Sequence, residues 1–437
     1  MSNIEIGLLL LPAIVICIYS GMHVPIALSA CSFVGVWAIK GSPVLASKLL
    51  SLAAADTISS YIFGVVPLFV LMGLVVSIAD IGKDTFEVAN QIFRKVKGGL
   101  GVATVFANAI FAAITGISIA SAAVFTKVAV PEMIRFGYTP RFAVGIVAGS
   151  SVLGMLIPPS LLLIIYGIIA EQSVGDLFLA GIGPGILLSF AYIMLIIFMA
   201  VKFPNYVGTN IRSEDQSEIR FGPMEIGVKL IPVVVLISLV LGGIYGGFFT
   251  PTEAGAVGAL GSIVVALAKK KMTWNKLWQV VIETGHVTAS ICFLIIAATM
   301  YTRMLALSGV PSYFGKMVTE VNLGIAGILA LYIIIILIMG TILDSVSIMM
   351  IMIPMVLPVI AQFNLNLIWF GIVNVIAVEI GLLTPPLGIA AYVIKGTLDD
   401  QRISLGDIFA GAFPFALTMT LVLAVVMLFP NISLMFL

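Results

Sequence analysis

Gly154-Met155-Leu156-Ile157-Pro158-Pro159-Ser160 and Gly381-Leu382-Leu383-Thr384-Pro385-Pro386-Leu387-Gly388 each interrupt an apolar run, 142–170 and 367–394, long enough to cross a bilayer. Proline has no amide to donate and frees a carbonyl one turn upstream. In hydrocarbon such a break survives only where protein or a wet cavity covers the freed groups. The two stretches match at an offset of 227 residues, which sets Gly154, Pro158 and Pro159 on Gly381, Pro385 and Pro386. A duplicated chain with a paired interruption is therefore the first expectation.

The match extends outward in order. Gly21, Pro25, Ala30 and Gly35 fall on Gly247, Pro251, Ala256 and Gly261; Gly82 falls on Gly309, Ser118 on Ser345 and Pro131 on Pro358. After a short insertion, Ser173-Val-Gly-Asp-Leu-Phe178 meets Ser404-Leu-Gly-Asp-Ile-Phe409. An ordered series with one small change of offset is hard to obtain by chance, even in so apolar a chain.

Composition sets the solvent. Of 437 residues, 61% are apolar and 9% charged, against roughly 25% charged in soluble domains, so most of the surface must meet lipid. The net charge of +1 gives no basic face for nucleic acid. Cys17, Cys31 and Cys292 lie in apolar runs without disulfide or metal spacing, and His23 and His286 stand far apart.

Candidate spans lie near 5–20, 24–39, 60–80, 142–170, 178–201, 230–247, 251–268, 287–307, 367–394 and 408–430. Two further apolar stretches, 100–130 and 324–360, are broken by Gly, Ser, Thr or Asp. If each of these returns to the side it came from, sixteen Lys and Arg residues collect on one side, and only Lys40, Lys48 and Lys316 on the other. The rich side is then the cytoplasm, and both termini are periplasmic. Gly82–Lys97 and Met272–Gly285 read as amphipathic helices in the interface plane.

The expected fold is an all-α polytopic membrane protein of two inverted repeats, each with about five transmembrane helices and one re-entrant hairpin. Repeat 1 covers 1–227: scaffold and arm helices at 1–97, hairpin and broken helix at 98–201, and a cytoplasmic linker at 202–227. Repeat 2 covers 228–437: scaffold and arm helices at 228–322, hairpin and broken helix at 323–437. Inverted repeats with interrupted helices mark secondary transporters that bind near the midplane.

The interruptions carry the chemistry. The hairpin tips are Thr115-Gly116-Ile117-Ser118-Ile119-Ala120-Ser121 and Gly340-Thr341-Ile342-Leu343-Asp344-Ser345. Freed carbonyls and hydroxyls are hard oxygen ligands for an alkali cation, and the helix N-termini after each break favour an anion. Ser118, Ser121, Asp344, Ser345 and Thr384 are the candidates that line ion and substrate sites; for Asp344 the plainer role is a helix cap. Glu379 lies beside a break but has no counterpart in the first half. Lys127, Glu253 and Arg303 read as structural: a snorkelling lysine, a first-turn acid and a buried ion-pair partner.

Gly154-Met-Leu-Ile-Pro-Pro-Ser160 with Tyr166-Gly167, Gly247-Phe-Phe-Thr-Pro-Thr-Glu253-Ala254 and Gly381-Leu-Leu-Thr-Pro-Pro-Leu-Gly388 resemble the large membrane subunit of tripartite ATP-independent periplasmic (TRAP) transporters. Pro131-Glu-Met133 with Gly137-Tyr138 adds a weaker element, and the resemblance runs nearly end to end. It implies sodium-driven uptake of an organic acid, a sialic acid or a C4-dicarboxylate, delivered by a periplasmic substrate-binding protein. It also implies an elevator in the inner membrane and a small four-helix membrane subunit, expected as a separate chain. On this resemblance, the substrate set is Ser118, Ser121, Ser160, Tyr166, Asp344 and Ser345. Sodium site 1 takes Gly116, Ser118, Ser121, Gly154 and Pro158, and sodium site 2 takes Gly340, Thr341, Asp344, Gly381 and Thr384. No organic cofactor is expected. A stand-alone sodium–carboxylate symporter is the nearest alternative and a membrane-embedded hydrolase a remote one. His-Glu-x-x-His, Gly-x-Ser-x-Gly and a phosphate-binding loop are all absent from the sequence.

Overall fold

The computed structural model describes residues 1–208, 221–320, 324–386, 388–398, 400 and 402–437. Residues 209–220 of the expected linker at 202–227 and Leu387 of the second break lie outside the described residues. Helices follow one another as α1 (Asn3–Tyr19), α2 (Val24–Lys40), α3 (Pro43–Ser59), α4 (Val65–Ile78), α5 (Ile81–Phe93), α6 (Gly99–Thr115), α7 (Ser118–Arg135), α8 (Pro140–Ser151), α9 (Leu153–Leu156), α10 (Leu161–Ile169), α11 (Val174–Lys202) and α12 (Pro204–Val207). They continue as α13 (Pro223–Tyr245), α14 (Pro251–Ala268), α15 (Trp274–Ser308), α16 (Val310–Glu320), α17 (Gly324–Gly340), α18 (Ser345–Gln362), α19 (Leu367–Leu382), α20 (Ile389–Thr397), α21 (Leu405–Leu428) and α22 (Asn431–Leu434). The described chain is an all-α polytopic membrane protein. Seven of its helices are long and apolar enough to span a bilayer, and α8–α9 with α10, bent by 42° at the break, are together long and apolar enough for an eighth.

The helix starts explain part of the repeat. Ser173 accepts the Asp176 amide at 3.2 Å and Ser404 accepts the Asp407 amide at 3.1 Å, so the matched Ser-x-Gly-Asp strings are the N-caps of α11 and α21. Glu253 closes a capping box with Thr250 at the start of α14, the structural role expected of a first-turn acid.

Packing sorts the helices into two groups. α1, α2, α3 and α4 pack with α13, α14 and α15, whereas α6 to α11 pack with α17 to α22. Small residues make close crossings in the second group: a Cβ on Gly145 of α8 would run into the Gly411 backbone of α21. Arg141 and Asp407 close the same crossing at 3.0 Å.

Three elements differ from the sequence reading. Residues 43–59, which carry no long apolar run, form α3. The segments 272–285 and 287–307 are one 35-residue helix, α15, because nothing between them breaks the ladder: Gly285 and His286 sit inside it without a proline. Its first turns nonetheless present Trp274 and Trp278 outward, 75% and 58% exposed, as a lipid-facing arm requires. By contrast, α5 turns its apolar face inward. Ile81, Thr85, Phe86, Val88 and Ala89 are buried against α6, α7 and α13 rather than laid on lipid. Charge holds it there, with Lys229 of α13 at 2.9 Å from Asp84 and 2.5 Å from Glu87. Arg303, expected to be an ion-pair partner, meets Asp56 at 2.5 Å and donates to the Leu49 carbonyl at 3.0 Å, which ties α15 to the arm α3.

Candidate functional site

Each hairpin tip docks on the break of its own half. α6 ends at Gly116, whose φ of +65° is the left-handed turn that glycine adopts without strain. The Gly116 carbonyl accepts the Leu161 amide at 3.1 Å, and a Cβ on Gly116 would collide with the Pro159 carbonyl. On Gly154 a Cβ would lie 3.0 Å from Ile117 in the tip. In the second half the contact is backbone on backbone: a Cβ on Gly340 would fall 2.5 Å from the Gly381 Cα, and one on Gly381 2.7 Å from the Gly340 Cα. Close approach thus requires glycine at 116, 340 and 381 and leaves little room for a side chain at 154. Pro158-Pro159 and Pro385-Pro386 are both cis-linked. The halves also interlock, with α10 packing on α18 and α20 on α7.

The hydroxyls at the first break are not equivalent. Ser121 is fully buried and its Oγ has no hydrogen-bond partner, which in an apolar setting costs roughly 1–3 kcal/mol unless a ligand supplies the missing contact. Ser118 is buried at the first residue of α7. Ser160 caps α10, accepting the Leu163 amide at 3.3 Å and donating to the Met155 carbonyl, so its oxygen is occupied. Tyr166 is spent elsewhere: its hydroxyl donates to the Leu367 carbonyl at 2.6 Å and its ring lies on Gly371 of α19. Pro158 offers no amide to the Gly154 carbonyl.

At the second break, Thr384 and Thr341 donate their protons backwards, to the Ile380 carbonyl at 2.8 Å and the Ile338 carbonyl at 2.7 Å. Both hydroxyls keep lone pairs for a cation. Asp344 is the N-cap of α18: Oδ2 accepts the amides of Val346 and Ser347, each at 3.1 Å, and Oδ1 accepts the Ser347 hydroxyl. Ser345 donates to Oε1 of the fully buried Glu379 at 2.9 Å.

Four buried polar residues carry no mark in the sequence reading. Asn108 donates to Ser150 at 2.8 Å across α6 and α8, and Tyr332 to Asn374 at 2.7 Å across α17 and α19. Each staples a hairpin arm to the helix that breaks, and an amide inside an apolar run is the signal that could have found them. A cleft of about 450 Å³ separates the two helix groups at the second tip. The start of α2 (His23 to Ile26), Ser290, Ile291, Phe293 and Leu294 of α15, and Asp344, Val346 and Ser347 line it. Lys127 lies at the opening of another cleft, of about 410 Å³, with Lys83, Arg94 and Arg135.

The family model of the tripartite ATP-independent periplasmic transporter, DctM component, matches residues 11–432. The chain belongs to that family. It is 32% identical to the C4-dicarboxylate TRAP transporter large permease protein DctM of Pseudomonas aeruginosa, over 89% of this chain and 88% of that one. It is 29% identical to the sialic acid TRAP transporter permease protein SiaT of Haemophilus influenzae, over 84% of this chain and 58% of SiaT. The isethionate TRAP transporter permease protein DctMQ of Oleidesulfovibrio alaskensis is 28% identical, over 88% of this chain and 59% of its own. Two solved transporters share the fold. Alcanivorax borkumensis YdaH has a TM-score of 0.60 at 13% identity, and the match covers 86% of this chain and 88% of YdaH. Neisseria gonorrhoeae MtrF has a TM-score of 0.58 at 11% identity, covering 86% and 83%. This TRAP large permease is a transport protein and not an enzyme.

Proposed function

We propose that this TRAP large permease takes up an organic acid, sialic acid or a C4-dicarboxylate, by sodium coupling and an elevator movement. The observation that carries the reading is the paired docking of hairpin tip on broken helix, with an unpartnered Ser121 oxygen inside the first pair. Ser118, Ser121 and the Gly154 carbonyl offer hard oxygens for one sodium, and Thr341, Thr384 and nearby carbonyls offer them for a second. Both ions are cargo. The starts of α7, α10, α18 and α20 favour the substrate's anionic group. Asp344 acts by holding the start of α18, and Tyr166 by bracing α10 on α19.

The scaffold is α1–α4 with α13–α15, and the moving body is α6–α11 with α17–α22. With the lysine-rich side as cytoplasm and both termini periplasmic, the cleft beside His23 opens inward, and the conformation is inward-facing. A periplasmic binding protein delivers the substrate, and a small membrane subunit completes the complex. Reconstituted alone, the chain is expected to give little or no uptake. Adding the small subunit, the binding protein and an inward sodium gradient restores it. Full uptake by the isolated chain would instead establish the stand-alone symporter.

A further inference from the structure

Gln91, near the end of α5, exchanges two bonds with the Phe221 backbone, each at 2.9 Å. Lys229 of α13 reaches Glu87 and Asp84, one and two turns earlier on α5. α13 thus holds α5 from one side, and α7 packs on it as well. Between α5, α7 and Phe221 lies the cleft of about 410 Å³. Four cationic side chains line it, Lys83 and Arg94 from α5 and Lys127 and Arg135 from α7, against two acids, Glu87 and Glu132. Both acids are answered. Glu87 meets Lys229 at 2.5 Å and Lys83 at 3.9 Å, and Glu132 meets Arg135 at 3.8 Å on its own helix. Arg94 and Lys127, one on each wall, have no hydrogen bond or ion pair among the described residues. Two unpaired cations lining one cavity repel each other, and an anion between them relieves the repulsion.

A second cleft, of about 260 Å³, meets the first at Phe221, which lines both. Met224 and Val228 form its apolar wall, with Glu225 and Lys229 beside them. Glu225 is engaged at the start of α13, where it accepts the Gly222 amide at 2.9 Å, and Lys229 lies 4.6 Å from the centre of the Phe221 ring. Met224, Val228, Ile231 and Val235 recur at helical spacing along α13 and are all exposed. That stripe runs up a helix long enough to span the bilayer. Since α13 begins at Pro223, Phe221 sits at the level where hydrocarbon gives way to headgroups.

We propose that the two clefts together hold one anionic phospholipid. Its phosphate lies between Arg94 and Lys127, and an acyl chain leaves past Phe221 along Met224, Val228 and Ile231. A soluble phosphate has no use for the apolar stripe. A zwitterionic headgroup would bring its ammonium into a cleft with two positive charges in excess. One wall belongs to α5, which α13 holds, and the other to the hairpin arm α7, so the bound lipid ties that arm to the span.

The test reads binding and stability rather than uptake, so it stands apart from the transport reading. The full chain, stripped of lipid in detergent, is titrated with phosphatidylglycerol, and retained lipid is counted by native mass spectrometry. One tightly held molecule per chain is expected, and none with phosphatidylcholine. Arg94→Gln combined with Lys127→Gln is expected to weaken it about tenfold. Lys95→Gln with Lys97→Gln removes as much charge from exposed positions that line neither cleft, and should leave the lipid in place. Equal weakening by the two pairs, or equal retention of phosphatidylcholine, would overturn the site. Displacement by millimolar inorganic phosphate would show a site for the bare anion and overturn the lipid. Phosphatidylglycerol is also expected to raise the unfolding midpoint of the wild type above its value in phosphatidylcholine, and not that of the Arg94 and Lys127 double variant. Should the double variant fail to fold, Lys127→Gln alone, at an exposed position, carries the test with a several-fold loss. Unchanged binding there would overturn the proposal.

Discussion

At the scale of single residues, polar atoms with nothing to do are more informative than the ones already bonded. Ser121, Ser160 and Tyr166 read alike as oxygen-bearing residues near a break. The structure separates them, since Ser160 and Tyr166 give their protons to the Met155 and Leu367 carbonyls and only the Ser121 oxygen is left open. If that oxygen ligates sodium, Ser121→Ala and Thr384→Ala each remove one ligand. The sodium concentration for half-maximal uptake is then expected to rise roughly fivefold, about 1 kcal/mol, with expression unchanged. Ser160→Ala serves as the contrast: it loses a cap and some stability, but its sodium dependence holds. Equal sodium dependence in wild type, Ser121→Ala and Thr384→Ala would dismiss the assignment.

At the scale of elements, the sequence announces breaks better than it announces joins. Double prolines and tip glycines act locally, so their effect can be read where they stand, and helices do end at Thr115, Leu156, Gly340 and Leu382. A helix continues for as long as nothing stops it, and the text of 272–307 does not reveal that arm and span are one rod. Nor does alternation of apolar and charged residues reveal which solvent an amphipathic face meets. α5 faces protein and the start of α15 faces outward, although both patterns looked the same. The bond from Ser345 to Glu379 was equally hidden, because it joins positions 34 residues apart through tertiary packing. Arg303 shows how arms are held. Its bond to the Leu49 carbonyl is charge-assisted and partly shielded, while its partner Asp56 is 61% exposed. Arg303→Ala is thus expected to cost about 1–2 kcal/mol, seen as a lower unfolding midpoint in detergent, and Asp56→Ala little. A larger loss from Asp56→Ala would show that the ion pair, and not the carbonyl bond, binds α3 to α15.

At the scale of the whole molecule, the two helix groups meet across a cleft lined by the second tip, and the proposed elevator would change the depth of that tip. On the proposed elevator, the matched order of α1–α11 and α13–α21 leads us to expect a second conformation in which the moving body sits higher and the first tip takes the corresponding place. Labels can measure that. Because α15 is continuous, a spin label at Trp274 reports on the scaffold through a rigid helix, and Ile342 offers a tip position outside the proposed ligand set. In a background lacking Cys17, Cys31 and Cys292, the distance from Trp274 to Ile342 is expected to change by a helix turn or more, ~5 Å at least, between states locked by cross-links. A pair inside one group, such as Asp407 of α21 with Glu132 of α7, should stay fixed. A cysteine at Ile342 should also be protected from an outside thiol reagent in the inward-locked state and exposed in the outward one. Accessibility alone does not decide the mechanism, because rocking of two halves about a fixed site would change it too. Rocking would leave the tip at one depth against α15, so altered labelling with an unchanged Trp274–Ile342 distance would keep the transporter and remove the elevator.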